Sequence, residues 1–107
     1  TPEIRAAQTR LELMEEAGPG RGQLRDLQDR VAASPDDLQA RYDLAMACVA
    51  EDRRQDAAEA LLDILRIDRT WNNEQARLQL LKLFEAFGHA DPVTLHARRQ
   101  LSALLFS

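Results

Sequence analysis

Apolar residues recur along this chain at intervals of three and four, the period of a helix with one covered face, and no segment shows the two-residue alternation of a half-buried strand. About six helices are predicted. The first, roughly Pro2 to Glu16, has Thr1 as cap and Pro2 in its first turn, and its stripe Ile4, Ala7, Leu11 and Met14 is expected to be buried. It ends in AGPGRG, residues 17–22, the strongest break in the chain, where glycine is free of side-chain clash and proline cannot continue a helix; it reads as a hinge or linker. A second helix, Gln23 to Ala33, places Leu24, Leu27 and Val31 on one face. Ser34 is expected to cap the third, with Pro35 in the first turn and Asp36 and Asp37 favouring the helix start through its dipole.

The third and fourth helices, about Asp36 to Glu51 and Gln55 to Ile67, are joined by EDRR, in which Asp52 takes the left-handed turn position. Asn72, with Gln75 three residues on, resembles a capping box opening a fifth helix that runs to Phe87 and stops at Gly88. Along it Ala76, Leu80, Leu83, Phe84 and Phe87 make one stripe and Leu78 and Leu81 a second, which predicts cover on two sides. Asp91 caps the sixth helix and Pro92 opens it; Ala97, Leu101, Leu104 and Leu105 form its inward stripe, and it continues to about Phe106.

From Ser34 to Asp68, Leu44, Ala45 and Cys48 in one helix and Ala57, Leu61 and Ile64 in the next stand at the apolar places of a helical hairpin of about 34 residues. Two antiparallel helices at close range need small side chains at the crossing, here Ala45 and Ala57, and bulk beside them, here Leu44 and Leu61. The stretch resembles a tetratricopeptide repeat. That resemblance implies an all-α fold of tetratricopeptide-like helical hairpins in a short right-handed solenoid, a binding scaffold. One unit further on, Gln79 and Asp91 replace the small residues, so the last pair is expected to act as a cap. The predicted map is a single domain with residues 1–33 the remnant of a preceding repeat, 34–69 the best repeat and 70–107 the C-terminal capping pair. Helix one has a stripe and no helix before it to cover, so the array is expected to continue upstream of residue 1.

Composition narrows the function classes. With 14 Lys+Arg against 18 Asp+Glu and a net charge of −4, the chain offers no basic field for a phosphate backbone, and nucleic acid is not an expected partner. No apolar run is long enough for a bilayer, TPEIRAAQTR lacks a signal-peptide core, and the lone Cys48 fits a reducing compartment, so a cytoplasmic location is expected. Cys48 reads as a small apolar filler. His89 and His96, seven apart across a helix boundary, define no metal geometry, and Glu15-Glu16, Asp36-Asp37 and Asp56 with Glu59 lie at helix ends or on polar faces. GPGRG follows a helix instead of joining a strand to one, so it is not read as a phosphate loop. No catalytic residue, metal site or cofactor is expected.

Two surfaces remain as candidate binding sites. The first is a groove on helix three, Gln39, Tyr42, Met46 and Val49, which lacks the Lys and Asn of a carboxylate clamp and suits apolar or unfolded segments; the bland reading is that helices five and six cover it. The second is the terminal helix, with Arg98, Arg99, Leu101, Leu104, Leu105 and Phe106 as an anchor for a partner groove; the bland reading folds Phe106 back on helix five and pairs the arginines with Glu74 or Glu85.

Four strings carry a more specific likeness: ASPDDLQARYDLA (33–45), AAEALLDILRIDR (57–69), WNNEQARLQLLKLFEAFG (71–88) and RRQLSALLFS (98–107). Together they resemble the C-terminal tetratricopeptide-like domain of bacterial thioredoxin-like co-chaperones of the chaperedoxin type. The resemblance implies a noncatalytic interaction module linked to protein folding and cell redox homeostasis, binding unfolded clients and the chaperonin, with the terminal helix as the chaperonin contact. It also implies a thioredoxin-fold domain upstream, which this chain does not contain, so no redox activity falls on these residues. The alternative is a generic scaffold for a single peptide, and helix faces uncovered by a shortened array are candidates for self-association.

Overall fold

The computed structural model describes residues 1–106; Ser107, the last residue of the terminal string, lies outside the described residues. Among the described residues there are six α-helices and no strand: α1 Pro2–Ala17, α2 Leu24–Ala33, α3 Leu38–Ala50, α4 Arg54–Ile67, α5 Trp71–Phe87 and α6 Pro92–Leu105, with a 3-10 turn, Gly18–Gly20, after α1.

Local chemistry explains most boundaries. Thr1 Oγ1 accepts from the Ile4 amide and Asp91 Oδ1 from the Val93 amide, as expected of caps ahead of Pro2 and Pro92. The α3–α4 turn closes with Asp52 at φ 56, its amide bonded to Val49 and that of Arg53 to the Cys48 carbonyl. α3 starts later than predicted. Asp37, not Ser34, is the cap, its carboxylate accepting from the Ala40 amide at 3.0 Å, while Ser34 holds the preceding turn by accepting from the Asp37 amide. A carboxylate adds charge to the cap and complements the partial positive charge of the helix start.

The capping box at the start of α5 does not form. Asn72, Asn73 and Glu74 take φ of 49, 57 and 63°, a short left-handed turn, and Gln75 spends its amide on the Tyr42 hydroxyl at 3.1 Å. Asparagine enters this region at low cost, and the turn lets Trp71 pack on Tyr42 with ring centroids 5.8 Å apart.

α3 and α4 form the central hairpin, and α4 also packs against α5 and α6, so α4 is the spine of the fold. Ala45 and Ala57 are fully buried at the crossing, as are Leu61, Leu62 and Ile64 of α4 and Leu80 and Leu83 of α5. Arg54, at the start of α4, lies over the Phe87 ring at 4.8 Å and pairs with Asp91 at 3.2 Å, tying α4 to the α5–α6 connection.

Three expectations about faces are overturned. α1 buries Leu13 and Ala17 and half-buries Ala6 and Thr9, whereas Ile4, Leu11 and Met14 of the predicted stripe are exposed by 59, 62 and 37%. On α5, Leu78 and Leu81 face solvent; its second covered side is formed by Gln79 and Ala86, against α1. The glycine-rich stretch is not a hinge throughout, because Gly20 lies so close to α3 that an added Cβ would be 3.1 Å from the Ala47 Cα. That contact anchors the chain between α1 and α2.

Candidate functional site

The predicted groove on α3 is occupied. Met46 and Val49 are buried, Tyr42 is half-buried against Trp71, and Gln39 is exposed and bonded to Asp43 at 2.9 Å. The neighbours on this side of α3 are α1, the 3-10 turn and α2, with the Gln75 and Gln79 side chains of α5 reaching Tyr42 and Met46, and not the α5–α6 pair of the bland reading. Gln79 Nε2 sits 3.5 Å from the Met46 sulfur and donates to Glu16 Oε2 at 3.1 Å, and Lys82 pairs with the same Glu16 and, at 3.7 Å, with Glu12. Arg10 adds a bond to the Ala86 carbonyl at 3.3 Å. Burial pushes the Glu16 carboxyl up, but bonds from Lys82 and Gln79 outweigh it and hold the group below its ordinary range; the Glu16 bond in turn raises Lys82. Burial raises the Tyr42 phenol, the Gln75 bond opposing.

The terminal helix is arranged differently. Its inward face is Thr94, Ala97 and Leu101, with Leu104 and Leu105 half-buried against the core, and Arg98, Arg99 and Phe106 are exposed, Phe106 by 87%. Neither part of the bland reading holds. Phe106 does not fold back, Glu74 and Glu85 are engaged by Arg77 and Arg5, and Arg98 approaches His89 Nδ1 at 3.4 Å. The end of α6 is nevertheless held, because Arg69 donates to the Leu104 carbonyl at 2.9 Å and reaches that of Leu105 at 3.5 Å. Sequence reasoning passed over Thr94, whose Oγ1 is buried without a hydrogen-bond partner; its i, i+3, i+7 spacing with Ala97 and Leu101 was the available signal. Arg69 had none, since a side chain that caps a helix 35 residues away leaves no local pattern.

Cys48 is 3% exposed and its thiol is pushed up to about 11, by burial first and by Asp56 next, with Arg53 opposing. Labelling of Cys48 by a maleimide at neutral pH is therefore expected to run at least about a hundredfold slower in the native protein than in denaturant; comparable rates would contradict the burial. His96 lies 4.0 Å from Glu59 while His89 faces Arg98, so the two imidazoles do not converge. Among the described residues no group of three or more His, Cys, Asp or Glu side chains could hold a metal ion, and no helix is long and apolar enough to cross a membrane.

Small residues at the α3–α4 crossing, with a second helical pair stacked on α4, are the geometry of a repeat hairpin array. A model of the tetratricopeptide-repeat family matches residues 19–106. The chain belongs to that family. No curated protein and no solved structure matches it. Membership makes the fold a tetratricopeptide hairpin solenoid and its role that of a protein–protein interaction module. The matched tetratricopeptide segment starts after α1 and includes both candidate surfaces.

Proposed function

We propose that this tetratricopeptide chain is the noncatalytic binding part of a cytoplasmic thioredoxin-like co-chaperone, with the end of α6 as its contact to the chaperonin and unfolded proteins as its clients. The reading draws on the likeness carried by residues 71–88 and 98–107, and one structural observation supports it above the rest. An almost fully exposed phenylalanine, Phe106, stands at a helix end that Arg69 holds in place, and Leu95, Arg99 and Ser102 lie on the exposed face leading to it. Exposed aromatic and arginine side chains on a firm support are the composition of an interface anchor, since little side-chain freedom is lost on binding. The covered α3 face leaves unfolded clients to other surfaces or to a rearranged groove. A generic scaffold for one peptide is the second reading, favoured by the fact that the α3–α5 seam already holds one helix.

A titration of the chain against the chaperonin decides between them. Phe106→Ala should weaken binding by about tenfold or more with the helical circular dichroism unchanged. Deleting Leu104 to Ser107 should abolish it at the cost of little helix. Equal binding by all three proteins would sink the terminal-helix reading, and no binding by any of them would leave the single-peptide scaffold.

A further inference from the structure

Two apolar faces of the molecule are uncovered among the described residues, and they carry opposite charge. The first is the outer side of α1, where Ile4, Leu11 and Met14 are exposed in one stripe with Ala7. Glu3 and Glu15 flank it, and neither has an ion-pair partner among the described residues. The second face lies between α5 and α6. α6 rests chiefly on α4 and meets α5 over a short stretch, so a groove of about 400 Å³ opens between them. Leu81, Phe84 and Leu101 line it, Leu78 extends it by one turn, and Arg98 and Ser102 stand on the α6 rim. Glu85, on the α5 rim, is engaged by Arg5, whereas Arg98 approaches only His89, so Arg98 and the neighbouring Arg99 have no carboxylate partner among the described residues. Charge decides how such faces can pair. Antiparallel pairing of the α1 stripe with its own copy, Ile4 against Met14, sets Glu3 against Glu15, and pairing groove with groove gathers the arginines of both copies. Stripe against groove is the one combination that matches apolar with apolar and carboxylate with guanidinium.

We propose that the α5–α6 groove binds the outer face of α1 from a second copy of this chain. Ile4, Leu11 and Met14 of one copy lie along Leu78, Leu81 and Leu101 of the other, and Glu3 and Glu15 supply the carboxylates that Arg98 and Arg99 lack. In a hairpin array the outer face of one pair is covered by the first helix of the next, and α1 of the second copy fills that place. The contact is heterologous: each copy offers one stripe and one groove, so the assembly grows head to tail beyond a dimer or closes into a ring. One helix in a groove buries less than a standard interface, and a dissociation constant on the order of tens of micromolar is expected. This goes beyond the terminal-helix reading and does not depend on it.

Sedimentation equilibrium of the chain, across a concentration series that brackets this dissociation constant, reads the contact. The average mass should rise from the 12.1 kDa of the monomer past that of a dimer, and added salt should lower it. Leu11→Lys, in the stripe, and Leu81→Asp, in the groove, both at exposed positions, should each hold the chain at monomer mass with the helical circular dichroism unchanged. An equimolar mixture of the two should form a one-to-one dimer and stop there, because one variant supplies an intact groove and the other an intact stripe. Should either variant lose helical signal, Glu15→Arg and Arg98→Glu take their places, since both side chains are exposed; each should weaken association about tenfold alone, and the mixture should recover it. A native chain that stays at monomer mass throughout, self-association that survives in either single variant, or a mixture that fails to associate would each overturn the proposal.

Discussion

Replacing Leu61 by alanine is expected to destabilise the protein by about 2–5 kcal/mol. Leu61 is fully buried in α4, the helix that packs against α3, α5 and α6, so the cavity opens where several helices meet. Collapse around it is limited, because close-packed interiors relax only partially around a deleted side chain. For a domain of this size the loss is a large part of a total of roughly 5–15 kcal/mol and should lower the melting midpoint by on the order of 10 °C or more. Thermal circular dichroism reads it directly. Leu11→Ala, on the exposed face of α1, is the matched control and should change stability by no more than about 0.5 kcal/mol. A Leu61→Ala midpoint as close to wild type as that of the control would mean that α4 is not the spine described above.

Gly88→Ala is expected to cost about 1–3 kcal/mol for a reason unrelated to packing. Gly88 ends α5 with φ 98° and ψ 147°, a backbone region almost closed to residues with a Cβ, yet an added Cβ would meet nothing within 4 Å. The whole penalty is therefore conformational. The same residue donates to the Phe84 carbonyl at 2.9 Å and accepts from the Asp91 amide at 3.2 Å, so its conformation directs the chain from α5 into the cap of α6. Gly18→Ala makes the comparison, since Gly18 is equally unobstructed but has φ −48°; alanine there should be neutral or stabilising by up to about 1 kcal/mol. Urea denaturation of the two variants separates backbone strain from space, and equal midpoints would refute the assignment.

The central hairpin was legible because its determinants are local. Alanines at the crossing, bulk one turn away and an aspartate that accepts a left-handed turn each act within a few residues, and each is found where the pattern placed it. The candidate sites were legible in unequal measure. The exposed end of α6 follows from a stripe that stops short of Phe106, whereas the cover over Met46 and Val49 comes from α1, which belongs to a part of the chain with no repeat signal.

What the sequence by itself determined is the number and order of the helices, the caps at Thr1 and Asp91, and the family of the hairpin, all consequences of short-range sterics and of a 3.6-residue period. What only the tertiary structure decided is which face each helix buries. In α1 the stripes Ile4-Ala7-Leu11-Met14 and Ala6-Thr9-Leu13-Ala17 both satisfy the period, and the choice is made by long-range contacts, Glu16 meeting Gln79 across 63 residues of chain and Leu13 packing into the core. Likewise the capping box read at the start of α5 gives way to a left-handed turn, in which Tyr42 provides a partner for Gln75 and Trp71. Periodicity states that a helix has a face; the partner that covers it is a long-range contact, and no local pattern encodes it.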